Sequence, residues 1–244
     1  MFSINKSVAV AAGALLGASL AVASANAALT VEFDFTGGSS STTGANGNVR
    51  TFGSIPAGIT VKTSAYSTHT SDDSGNLFKG YLGHYSHGLG VTNDGGDGSH
   101  TVDNSGYTDL VVFEFSQPID IRRVSVRSFS DADLRVWLGN LPVGNNFEGG
   151  ETFANNLGGL NSLGTFTCSS TCDNGETHSY NITSDLFGNY LVVAAKLSDD
   201  NDQFKIKALK VDYEERRDVP EPATLAVLGM GLLGLAAARR RKIA

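Results

Sequence analysis

From Leu29 onward, apolar and polar positions alternate with a period of two. Val31, Phe33 and Phe35 are interleaved with Glu32 and Asp34, the mark of a strand with one buried face. Residues 59–62 repeat the pattern more weakly. The clearest block covers residues 110–115, a turn at Ser116-Gln117-Pro118, and then residues 119–129. Ile119 and Ile121 share one face, and Val124 and Val126 resume it after a slip at Arg122-Arg123, which places a bulge or a change of sheet there. Residues 134–138 alternate again and carry the only Trp, Trp137, mid-strand and so expected in the core. Past a Gly/Asn-rich stretch at 139–159 come strands at 163–168 and 177–182. Residues 190–195 are apolar throughout, as in a central strand covered on both sides, and Phe204, Ile206 and Val211 close the series. About ten strands separated by Gly, Asn, Asp and Ser turns predict an all-β domain, a two-sheet β-sandwich of jelly-roll type.

The two ends break this rhythm. Lys6 is the only charge before an apolar run at 8–22, and Ala25-Asn26-Ala27 has the small-x-small form that signal peptidase accepts. Residues 1–27 therefore read as a secretory signal cut between Ala27 and Ala28, with signal peptidase as a partner. At the other end, Pro220-Glu221-Pro222 precedes an uncharged run at 223–238 and then Arg239, Arg240, Arg241 and Lys242. As a helix those 16 residues span about 24 Å, somewhat short of the ~30 Å hydrocarbon core. The basic cluster holds that end on the cytoplasmic side. The prolines remove backbone donors and keep the chain extended before the helix, a shape a protease reads.

This order of Pro-Glu-Pro, apolar helix and basic cluster resembles the PEP-CTERM sorting signal of exosortase substrates. The resemblance implies a Gram-negative bacterium that makes exopolysaccharide. It also implies an inner-membrane precursor held transiently by a single transmembrane helix, then release or attachment outside by a membrane-embedded cysteine protease. The chain then divides into a signal peptide (1–27), a β-sandwich (28–217) and a sorting signal (218–244). A second resemblance lies in the body. Gly88-Leu89-Gly90-Val91, His100-Thr101-Val102-Asp103-Asn104, the strand pair at 113–120 and Asp202-Gln203-Phe204-Lys205-Ile206 are similar to β-sandwich bodies of exosortase-dependent surface proteins. It implies an extracellular sandwich of no assigned activity.

Composition sharpens the picture at three points. Gly at 29 residues is in no G-x-y repeat, so collagen is excluded, and 41% hydrophobic residues exclude disorder throughout. The formal charge of −7 argues against a nucleic-acid partner. That figure averages a basic tail with an acidic cargo: residues 28–218 hold 13 basic and 24 acidic side chains, a net −11. Such a balance suits divalent cations.

Candidate chemistry is sparse. Cys168 and Cys172 form the only cysteine pair, and in an exported chain they read as a disulfide closing a tight loop. Asp94, Asp97 and Asp103, with Asn93 and Asn104, place oxygen ligands on a Gly-rich loop, and Asp199, Asp200 and Asp202 form a second such group before a strand. Both are candidate calcium sites; the plain alternative is polar turns whose side chains cap their own backbone. His84 and His87 converge on one metal only across a turn, and otherwise are surface or loop residues. Tyr81, Tyr85 and Tyr107 are candidates for exposed contacts with sugars. No nucleophile elbow, zinc-binding helix or phosphate loop occurs, so no catalytic residue is assigned and no enzyme is expected. The expected function is a non-enzymatic cell-surface or exopolysaccharide-matrix protein. The alternative is a lectin-like carbohydrate-binding module for exopolysaccharide, assisted by calcium.

Overall fold

The computed structural model describes residues 28–41, 44–68, 75–93, 98–168, 172, 174–197, 201–214 and 231. Among them are thirteen strands: β1 (Ala28–Asp34), β2 (Arg50–Gly53), β3 (Thr60–Thr68), β4 (Leu77–Lys79), β5 (Tyr81–Tyr85), β6 (Gly88–Thr92), β7 (Val102–Asp103), β8 (Thr108–Ser128), β9 (Leu134–Gly139), β10 (Asn161–Phe166), β11 (Thr177–Asn181), β12 (Gly188–Ala195) and β13 (Gln203–Glu214). Their pairings are antiparallel. Three more strands occur than the alternation predicts, chiefly in the short, Gly-rich region from β4 to β7, where too few residues alternate to register a period.

β8 organises the whole. Its first part pairs with β3, from Thr68↔Thr108 to Val61↔Phe115, and with β12. From Ile119 it pairs instead with β13 and then β11. A straight strand of 21 residues would run about 70 Å. It does not run straight, because residues on either side of the 116–119 region face each other. Phe33 of β1 lies level with Val124, through Leu209 of β13, yet its ring is 5.6 Å from Phe115. Phe35 likewise stands 5.6 Å from Phe113. The expected turn at Ser116-Gln117-Pro118 is therefore a bend within one unbroken strand, which folds the sheet onto itself. The slip at Arg122-Arg123 is a bulge: Lys210 pairs with Arg123 and Val211 with Ile121, leaving Arg122 as the extra residue.

The result is a two-layer β-sandwich whose layers share β8. One layer runs β10-β9-β12-β8-β3, with β2 and β4 on β3; the other runs β11-β8-β13, with β1, β6 and β7 along the far edge of β13 and β5 on β6. Val111, Phe113, Val136 and Leu191 from the first layer meet Val124, Val126, Ile206 and Leu209 from the second in one core. The first layer is apolar on its outer face as well. There Tyr66, Val112, Trp137, Tyr190 and Val192 are covered by Phe147, Phe153, Leu157 and Leu160 from the excursion between β9 and β10. This is why residues 190–195 are apolar without alternation, and why Trp137 is fully buried. Burial of each such side chain stabilises the fold by about 1.5–3 kcal/mol.

The bend of β8 marks one end of the sandwich, the base. The β2–β3 turn, the end of β9, the start of β12, the start of β1 and the end of β13 all lie there. Gly188 passes so close to the backbone of Gly139 that no side chain fits. The opposite end, the apex, gathers the end of β3, both ends of β8, the end of β12, and the starts of β9 and β13.

Candidate functional site

The described parts of both acidic segments singled out in the sequence, Asp103-Asn104 and Asp202, lie at the apex. Asp94, Asp97, Asp199 and Asp200 lie outside the described residues. Asp103 and Asp202 are described, and both are buried. Asp103 serves its own turn: Oδ2 accepts hydrogen bonds from Ser99 and Thr101 Oγ1, both 2.9 Å, and Oδ1 accepts the Ser105 N–H at 3.1 Å. Asn104 joins it to Asp202 by a reciprocal pair, its Nδ2 donating to Asp202 Oδ2 (2.7 Å) and its Oδ1 accepting the Asp202 N–H (3.0 Å).

The structure brings Asp202 together with two residues that the sequence reading passed over. Carboxylate oxygens of Asp131, Asp133 and Asp202 lie within 4.8 Å of one another. Their only signal in the sequence was Asp131-Ala132-Asp133 just ahead of β9, a spacing of two that looks like any polar turn. Asp131 and Asp202 meet in an isolated bridge between the end of β8 and the start of β13, so the contact exists only once the layers are assembled.

The charges in this cluster are met from within the chain. Lys196 Nζ stands 2.9 Å from Asp133 Oδ2, and the Cys168 N–H donates to Asp133 Oδ1 at 2.7 Å. The Asp133 N–H donates to Asp202 Oδ1 at 2.8 Å, and the Ala132 N–H to Asp131 Oδ1 at 2.7 Å. Tyr180 closes one side by donating to the Ala132 carbonyl at 2.7 Å. Burial, then the nearby Asp133, Asp131 and Asp202 charges, push the Tyr180 phenol well above its ordinary range, so it stays a donor. Three carboxylates in such a nest suit a divalent cation, but Lys196 already supplies one positive charge there.

Cys168 and Cys172 are bonded as a disulfide with Cα atoms 5.9 Å apart, next to this cluster. His178 Nδ1 is 3.6 Å from the Cys168 sulfur. His84 lies on β5 with its ring edge-on to Phe52, and His87 sits in the turn after it, exposed near Phe129. Neither joins a metal-ligating group among the described residues. Tyr81 departs from expectation: it is buried, because β5 packs it inward, and only Tyr85 and Tyr107 keep partial exposure.

On the outer face of the first layer, an open groove of about 630 Å³ runs beside the cover of the second core. Thr51, Lys62, Ser64, Glu114, Asn145 and Asn146 line it, and Tyr66 and Tyr190 lie beneath. Lys62 and Glu114 are cross-strand neighbours, and Glu114 Oε1 accepts the Gly144 N–H at 3.1 Å. The two tyrosine rings are buried, so they offer floor rather than a stacking platform.

Past Glu214 the described chain stops at β13, and the Pro-Glu-Pro segment with its apolar run and Arg239, Arg240, Arg241 and Lys242 lies outside the described residues, save Gly231. Residues 218–242 match the PEP-CTERM protein-sorting motif. The chain carries this sorting motif. It implies an exported chain that an exosortase processes. No helix among the described residues is long and apolar enough to cross a membrane. No curated protein matches the sequence. Solved structures similar in part include the C-terminal domain of a chitobiase from Bacteroides fragilis, at 10% identity and a TM-score of 0.27, covering 44% of this chain and 63% of that domain. The chain thus spans less than two thirds of that domain. Another is GH31 CBM32-2 bound to GalNAc, at 14% identity and a TM-score of 0.26, covering 60% of this chain and 82% of that one.

Proposed function

We propose that this chain is a non-enzymatic exported protein of a Gram-negative bacterium. Its sandwich is delivered to the cell surface or exopolysaccharide matrix by signal peptidase and an exosortase. One observation supports the reading: the described strands lie between the two addresses, and the first of them pairs with the last. β1 opens at Ala28 and pairs it with Glu214, the last residue of β13, four residues before the sorting motif. Cleavage between Ala27 and Ala28 leaves β1 whole, and cleavage near Pro220-Glu221-Pro222 leaves β13 whole. Neither processing step therefore removes a strand among the described residues. In the precursor, the run at 223–238 anchors the chain with its basic cluster in the cytoplasm. Replacing Pro220-Glu221-Pro222 by alanines should hold the full-length chain in the inner membrane, read by fractionation and by the mass of the product. Release at the normal mass would sink the proposal.

A second reading, saccharide binding, is favoured by the groove, where two cations, an anion and two amides stand within one open trench. Sugar hydroxyls take such mixed donors and acceptors well. A glycan array probed with the exported protein and with a Lys62→Ala/Glu114→Gln variant tests it. Equal, featureless binding by both would leave a structural protein with no saccharide preference.

A further inference from the structure

The sandwich is chemically polarised from end to end. The apex holds the acidic cluster of Asp131, Asp133 and Asp202 together with Asp103 and Asp109. Among the described residues, most of the exposed large apolar side chains lie at the base instead, Val49 beside the groove being an exception. Leu29 (38% exposed) begins β1, Ile55 (66%) tips the β2–β3 turn, and Leu186 (41%) and Phe187 (39%) lead into β12. Register connects them: Leu29 pairs with Tyr213, Tyr213 with Ile119, and Ile119 with Gly188. Ile55 exchanges backbone hydrogen bonds with Glu32 of β1. Val143, 79% exposed, belongs to a loop tied to the same strand start, where Asn140 Nδ2 donates to the Phe187 carbonyl at 3.1 Å. Charged groups stand at this end too: Asp185 and Glu214 are exposed, and one guanidinium holds two buried or half-buried carboxylates. Arg122 holds Asp120 at 3.0 Å and Asp212 at 2.6 Å.

The tail leaves from this same end. Eight residues, 215–222, separate Glu214 from the apolar run that begins at 223. Fully extended they reach about 27 Å, so in the anchored precursor the base lies within that distance of the bilayer. We infer that the base docks against the outer surface of the lipid bilayer while the tail is still in place, with Leu29, Ile55, Leu186 and Phe187 entering the interface. Scattered apolar side chains on a polar rim bind membranes weakly alone, and the tether supplies the effective concentration that makes the contact persist. Docking presents the Pro-Glu-Pro segment at the bilayer surface, where a membrane-embedded protease works. Once the tail is cut the tether is lost and the sandwich is free to leave. This inference rests on the anchoring proposed above.

The test uses the full chain reconstituted in vesicles of phosphatidylethanolamine and phosphatidylglycerol whose acyl chains are brominated. Phe187→Trp places a fluorophore at the base, and Ser130→Trp places one on the exposed apex; buried Trp137 is the common background. Bromine should remove most of the emission added at 187 and none of that added at 130. Equal quenching at both positions, or quenching at neither while the chain co-floats with the vesicles, overturns docking and leaves anchoring intact. A chain that fails to co-float overturns the anchoring, and docking falls with it. A form of the chain cut at Pro-Glu-Pro should show no quenching at 187, and retained quenching there would refute the role of the tether.

Discussion

Removing the ammonium of Lys196 is the sharpest test of the apex. In the folded chain it faces Asp133 at 2.9 Å, with 22% of its own side chain and 7% of the Asp133 side chain exposed. Carboxylate oxygens within 4.8 Å of one another repel by at least roughly 3.5 kcal/mol per pair of full charges at an effective dielectric of 20. Breaking a buried ion pair from one side costs about 3–5 kcal/mol. The residual exposure of both groups lowers that, and Lys196→Met should cost about 2–3 kcal/mol. For a body of this size that is a fall in Tm of roughly 5–10 °C. Thermal and urea unfolding of the purified protein measure it. The companion Asp133→Asn/Lys196→Met should recover part of the loss, since the buried charge left uncompensated by the first change is removed by the second. Calcium should raise the Tm of Lys196→Met by more than it raises that of the unaltered chain, because three carboxylates then lack their internal cation. A Lys196→Met protein within about 0.5 kcal/mol of the unaltered one, or strict additivity in the double variant, would refute this account of the cluster.

Phe153→Ala should cost about 3–4 kcal/mol by opening the cover over Trp137, whose ring stacks on Phe153 at 5.2 Å; a cost under about 1 kcal/mol, read by urea unfolding, would deny the second core. Cys168→Ser/Cys172→Ser should cost about 2 kcal/mol, the closure entropy of a five-residue loop, measured as the change in urea midpoint. At the base, burial raises the Asp120 carboxyl above its ordinary value even with Arg122 beside it. Burial also opposes charge on Asp212, but hydrogen bonds from Thr30 and Arg122 outweigh it and hold that group low. Charging Asp120 therefore costs stability as pH rises through its raised pKa, whereas Asp212 contributes stability at neutral pH that is lost as pH falls below the ordinary carboxylate range. Relative to the unaltered chain, Asp120→Asn should gain and Asp212→Asn should lose stability between pH 4 and pH 7, as pH-dependent melts would show.

The alternation of Val31, Phe33 and Phe35 was legible because one face of β1 meets the core and the other does not. The bulge at Arg122 was legible for the same reason, since an extra residue breaks the period. The bend of β8 was not. Ser116, Gln117 and Pro118 look like a hairpin turn in sequence, and only the ring contacts of Phe33 and Phe35 reveal a strand folding between layers. The hairpin of β5 and β6 was hidden by glycines, which carry no polarity to alternate. At the apex, the sequence singled out Asp202 but not its partners: Asp131 and Asp133 reach it only through long-range pairing, and Lys196 lies 63 residues from its partner Asp133.

Those same facts explain why a chain with little site chemistry still has a direction. Antiparallel pairing of the first strand with the last puts both ends of the folded body side by side, whatever lies between them. The sorting motif at 218–242, and the proposed signal peptide at 1–27, would therefore act on one end of the domain. Apolar exposure at that end is tolerable while a membrane is near, and the cluster of Asp131, Asp133 and Asp202 lies at the far end, while Arg122 holds Asp120 and Asp212 at the base. The polarity needs no catalytic residue to be useful. Under the docking inferred above, it would orient the cargo, with the apex and the groove turned away from the cell before the tail is cut and free to meet the proposed matrix afterwards.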